Sequence, residues 1–143
     1  MFYVDTNILV SALTPETARR EARQWLLAHQ MTSFVSDWVI AEFSRSLSVK
    51  SRYSDFSEAD RFRARVGLKR YLEASLAVLP VGRDDFRVAA DFCEDPELGL
   101  RAGDALHLAI ASAHGLTMIT RDHGMARAAR QLGLPATLMQ EIS

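Results

Sequence analysis

Short apolar runs alternate along this chain with longer stretches of helical periodicity, and that alternation admits few folds. Residues 2–5 read as a buried strand, with a short helix from about Asn7. Thr32–Val35, Ala77–Val81 and Leu116–Thr120 read as further strands, and Ala136–Met139 as a short final one. A helix is expected from Thr14-Pro15, where Thr14 caps and Pro15 takes the tolerated first position. Its buried stripe would be Ala18, Ala22, Trp25 and Leu26. Ser36 caps a helix carrying Val39, Ile40, Phe43 and Leu47, and Ser57 one carrying Phe62, Val66, Leu72 and Leu76. Helices are also expected over about 84–94, 103–114 and 123–132, the last stopped by Gly133, whose tolerance of positive φ suits a C-cap. Strand–helix alternation implies one three-layer α/β/α domain over 1–143 with a central, mainly parallel sheet.

Composition allows such a core: 48% of the 143 residues are hydrophobic, and only four are proline. Cys93 is the single cysteine, so a disulfide framework is impossible and a reducing cytoplasm fits best. Its amphipathic surroundings predict a small core side chain. The longest run free of Asp, Glu, Lys and Arg, Ala105–Thr120, holds two histidines and is short for a membrane span. No basic leader precedes the first apolar residues, so the start does not read as a signal peptide.

Net charge is −1, but its distribution is uneven. Residues 45–70 hold eight basic groups against three acids, a net +5, and the remainder carries −6. A basic flank beside an acidic centre suits a protein that grips a phosphate backbone. A solvated helix surface accounts for the same charges.

Four acids stand out by position. Asp5 closes the first strand and Asp122 follows the Leu116–Thr120 strand, while Glu42 and Asp104 lie inside helical patterns. Taken singly, Asp5 and Asp122 are explained as helix caps, Asp104 as a favourable charge near a helix start, and Glu42 as an exposed helical residue. Their neighbours argue otherwise, since Trp38-Val39-Ile40-Ala41 precedes Glu42 and Ala105-Leu106-His107-Leu108-Ala109 follows Asp104. Acids in apolar settings need a partner or an ion. Carboxylates gathered at the C-terminal edge of a parallel sheet would repel one another unless a hard cation sat among them.

Val4-Asp5-Thr6-Asn7, Ala41-Glu42-Phe43, Gly103-Asp104-Ala105-Leu106-His107-Leu108-Ala109 and Ile119-Thr120-Arg121-Asp122 together resemble the four motifs of the PIN-domain ribonucleases. The resemblance is greatest to the VapC toxins of toxin–antitoxin pairs and covers nearly the whole chain. It implies endonucleolytic RNA cleavage dependent on Mg²⁺ or Mn²⁺, with Asp5, Glu42, Asp104 and Asp122 as the acidic quartet. Thr6 or Asn7, and Thr120, would orient those carboxylates or associated water. It also implies a small VapB-like antitoxin and a homodimer or larger assembly. One departure stands just beyond the fourth motif: Gly124 and Met125 occupy places where many relatives carry another acid followed by phenylalanine.

Arg45, Lys50, Arg52 and Arg121 are candidate RNA contacts, although strand alternation would turn Arg121 away from the side of Thr120 and Asp122. His107, one helical turn from Asp104, is expected to make a structural hydrogen bond. Trp25 and Trp38 are expected in the core or at a partner interface. The alternative to a nuclease is a catalytically inactive PIN-like module that binds RNA or protein; degenerate relatives lose acids, whereas all four are retained here. An aspartyl-phosphate phosphatase is disfavoured because Asn7 stands where a second aspartate is wanted.

Overall fold

A computed structural model of the chain describes residues 1–53 and 55–139. Among them, five strands form one sheet in the order β3-β2-β1-β4-β5, every neighbouring pair parallel. The strands are β1 (Phe2–Val4), β2 (Ser33–Ser36), β3 (Leu76–Leu79), β4 (Thr117–Thr120) and β5 (Ala136–Leu138). Seven helices connect and cover them: α1 (Thr6–Leu13), α2 (Arg19–Ala28), α3 (Asp37–Lys50), α4 (Glu58–Ala74), α5 (Arg83–Glu94), α6 (Ala102–Ala113) and α7 (His123–Gln131). The three-layer α/β/α architecture is as the alternation predicts. Parallel neighbours require crossovers, and helices of this length supply them.

β1 is central because Tyr3 and Val4 are fully buried apolar residues, and it pairs with β2 on one side and β4 on the other. Chain order therefore reverses at β1, making its C-terminal end a topological switch point. α1, α2, α3 and α4 pack together, and α5 packs on α6. Edge strand β3 leaves Ala77 and Val78 exposed, and Pro80 follows it, where a missing N–H costs the ladder nothing.

The caps obey local chemistry. Ser36 Oγ accepts from Val39 N at 3.3 Å to open α3. Ser57 and Asp60 form a reciprocal capping box at the start of α4. Gly133 adopts φ 70° just beyond α7.

Several sequence expectations are corrected. Thr14 does not open α2; its hydroxyl donates back to Val10 O at 2.8 Å and it closes α1, while α2 begins at Arg19. Phe62 is 68% exposed, because α4 turns Ala64 and Leu68 inward instead, and Leu76 belongs to β3. Cys93 is exposed rather than in the core, since α5 buries only Ala89. Trp25 is a core residue, its ring stacked on His29 with centroids 4.2 Å apart and edge-on to Phe2. Among the described residues, no helix is long and apolar enough to cross a membrane.

Candidate active site

The end of β1 delivers Asp5, and the end of β4 delivers Thr120 two residues before Asp122. α3 brings Glu42 from its second turn, and the first turn of α6 brings Asp104. All four acids line one cavity of about 350 Å³, together with Thr6, Asn7, Ser11, Glu16, Arg45, His107 and Arg121.

Asp5 precedes α1, yet its side chain makes no capping bond. It turns instead toward the cavity, where Thr120 Oγ1 donates to Asp5 Oδ2 at 2.5 Å. Asn7 ties the strand ends together: Nδ2 donates to Thr120 Oγ1 at 3.2 Å, and Oδ1 accepts from Arg121 N at 3.1 Å. Asp122 does cap, as its simplest reading suggested, because Oδ1 accepts from Met125 N at 3.0 Å. Capping occupies one oxygen of a carboxylate that also lines the cavity.

Glu42 is half-buried and doubly held. Thr6 Oγ1 donates to its Oε2 at 2.7 Å, and His107 Nε2 lies 2.6 Å from the same oxygen. Behind the imidazole, the Tyr3 hydroxyl is 2.9 Å from Nδ1 and 2.7 Å from Ser36 Oγ. One set of directions satisfies every group: Ser36 donates to Tyr3, Tyr3 to His107 Nδ1, and His107 Nε2–H to Glu42. His107 thus makes the structural bond expected of it.

Burial and crowding set the electrostatics. Desolvation pushes the Asp5 carboxyl above its ordinary range. Asp104 is also raised, by burial first and then by the charges of Asp122 and Asp5. Burial also works against Glu42, but its hydrogen bonds from His107 and Thr6 help draw it below the ordinary value. Among the described residues, no lysine or arginine lies within ion-pairing distance of Asp5, Asp104 or Asp122. Oxygen donors crowded in this way suit a hard divalent cation. Ligand atoms of Asp5, Glu42 and His107 lie within 4.8 Å of one another. Because His107 Nε2 carries the hydrogen donated to Glu42, the oxygens are the better donors.

Glu16 was missed in the sequence. It accepts from Lys50 Nζ at 2.7 Å and Ser11 Oγ at 2.8 Å, and lies 3.9 Å from Arg121 Nη1. Arg121 does not turn away: β4 ends at Thr120, alternation ceases, and Nη1 reaches Ser11 Oγ at 2.7 Å on the cavity wall. Lys50 and Arg121 are therefore engaged with α1 and its following loop. Arg45 and Arg52 are exposed, and no acid among the described residues lies within ion-pairing distance of either, although the Arg45 charge also helps lower Glu42. No pattern signals Glu16, since its partners come from positions far apart in the chain.

The PIN domain family profile matches residues 2–131. The chain belongs to the PIN-domain family. Solved structures agree on the fold. FitAcB from Neisseria gonorrhoeae superposes with a TM-score of 0.70 at 21% identity, covering 98% of this chain and 99% of that one. A VapC toxin from Mycobacterium tuberculosis, described as cleaving the sarcin–ricin loop, gives 0.72 at 15% identity over 90% and 95%. A VapBC complex from Rickettsia felis, bound to a promoter DNA fragment, gives 0.69 at 19% over 96% and 98%. No curated protein sequence matches significantly. Within this PIN domain, the first three motifs and the end of β4 meet around the same cavity.

Proposed function

We propose that the chain, as one PIN-like domain over 1–143, is a divalent-metal-dependent endoribonuclease and the toxin of a toxin–antitoxin pair. The observation that carries this reading is the crowding of Asp5, Asp104 and Asp122 around one cavity without a lysine or arginine partner. Asp5 and Asp104 would hold Mg²⁺ or Mn²⁺ directly, with Asp122 contributing the oxygen not engaged by Met125 N. When bound, the ion favours ionisation of an attacking water and neutralises charge growing on the phosphate.

The side chains divide the remaining work. Thr120 and Asn7 aim the Asp5 carboxylate, while Thr6 and His107 hold Glu42 by Oε2 and leave Oε1 to position water. In-line attack forms a new P–O bond and breaks the bond to O3′, which takes up a proton. The products carry 5′-phosphate and 3′-hydroxyl ends. Arg45, which lines the cavity, and Arg52 have no acid within ion-pairing distance among the described residues, and we assign them to RNA phosphates.

Several structural relatives are toxin–antitoxin complexes, which supports a small VapB-like antitoxin as partner, in a homodimer or larger assembly. Purified protein incubated with RNA tests the reading. Cleavage should require Mg²⁺ or Mn²⁺, stop with chelator and vanish in folded Asp5→Asn. RNA binding indifferent to metal, with no cleavage, would instead fit an inactive binding module.

A further inference from the structure

Beside the acidic cavity lies a second depression of about 580 Å³, and the two share Val10, Arg45 and Ser46. Among the described residues it is further lined by Pro15, Val49, Lys50, Tyr53, Asp55 and Phe56. α3 explains the continuity. Glu42, Arg45, Ser46 and Val49 recur at helical spacing, so they form one stripe leading out of the acidic cavity. From Glu42 to Val49 that stripe runs roughly 10 Å along the axis, a span that neighbouring nucleotides bridge. Tyr53 extends it in the turn beyond α3, where its N–H donates to Lys50 O at 3.0 Å and its carbonyl accepts from Phe56 N at 3.3 Å.

Two features of this depression lack an occupant within the described fold. Tyr53 is 65% exposed and lines the depression beside the apolar Val49 and Phe56, with Arg45, Ser46, Lys50 and Asp55 as its polar neighbours. Arg45, at the junction of the two depressions, has no acid within ion-pairing distance among the described residues. Single-stranded nucleic acid meets both needs at once, because each nucleotide offers a flat π-face and a phosphate. An apolar peptide would cover the ring and leave the guanidinium at its edge unmatched.

On the ribonuclease reading above, we propose that this depression is a nucleobase subsite. An unpaired base next to the scissile phosphate stacks on Tyr53 against Val49 and Phe56, and Arg45 takes the intervening phosphate. Ser46 and Asp55 also line it, and their hydroxyl and carboxylate oxygens would accept from the N–H groups of a base edge. The subsite selects RNA that is single-stranded beside the cut.

The test uses the cleavage-deficient Asp104→Asn protein in Mg²⁺ and short single-stranded RNA carrying 2-aminopurine at successive positions. One position should be quenched on binding, and the matching duplex should show no such quench. Adding Tyr53→Ala should abolish the quench and weaken binding about tenfold, the scale of one lost base–aromatic stack, whereas Tyr53→Phe should retain both. If Tyr53→Ala binds the same RNA with unchanged affinity and fluorescence, the proposal is overturned and the groove is left to a protein segment. Failure of the wild type to cut RNA in Mg²⁺ or Mn²⁺ would remove the nuclease reading; Tyr53-dependent quenching would still report the base subsite.

Discussion

His107 meets Glu42 at 2.6 Å and fixes which face of that carboxylate is spoken for. With Thr6 on the same oxygen, Oε2 is saturated and Oε1 alone remains for exchangeable ligands. The imidazole is itself held from behind by Tyr3, so the orientation of a half-buried acid on α3 is set from the middle of β1.

Tyr3→Phe removes the hydroxyl that joins Ser36 to His107. Two buried polar groups lose a partner, at a cost of about 1–3 kcal/mol. Urea denaturation should show that loss at an unchanged slope.

Asp104 is raised by burial and by the charges of Asp122 and Asp5. A raised carboxyl makes the folded state hold a proton that the unfolded state has released, so stability falls as pH climbs through that window. Metal-free protein should therefore gain thermal stability on acidification from neutral pH toward the raised value. At neutral pH, Asp104→Asn should melt higher than the chelated wild type, and Mg²⁺ should raise the wild type while moving the variant less. Equal melting temperatures for chelated wild type and variant would contradict the crowding.

Glu16 behaves in the opposite sense. Burial disfavours its charge, but Lys50 and Ser11 hydrogen bonds with the Lys50 and Arg121 charges hold the carboxyl below its ordinary value. Its stabilising contribution is present above the unfolded value and is lost as pH falls through the folded one. Glu16→Gln should cost about 1 kcal/mol at neutral pH, after allowance for solvent screening, and should flatten the acid limb of a stability–pH curve.

Gly103 packs where a Cβ would stand 3.1 Å from Glu42 Oε1 and 3.3 Å from Trp38 Cζ2. Gly103→Ala forces one of them aside while improving helix propensity in α6. Cleavage should drop about tenfold through the displaced carboxylate, with melting temperature nearly unchanged.

Strand–helix alternation and the four acids were legible because buried strands read as apolar runs and each acid stands at the edge of one or amid apolar neighbours. Less legible was anything decided by tertiary approach. Thr14 looks like an N-cap until its hydroxyl is found on Val10 O, and Phe62 looks buried until α4 is seen to turn Ala64 and Leu68 inward. Arg121 escaped its expected direction because the strand stops one residue before it. Glu16 has no local signature at all: its meaning arises only where residues 11, 50 and 121 converge on it.

The carboxylates come from β1, α3, the start of α6 and the exit of β4, spanning residues 5 to 122. No shorter contiguous fragment carries them all. The pocket is therefore incomplete during synthesis until residue 122 has emerged and β4 has paired with β1. On the nuclease reading, the nascent chain lacks its full set of acids for most of its synthesis.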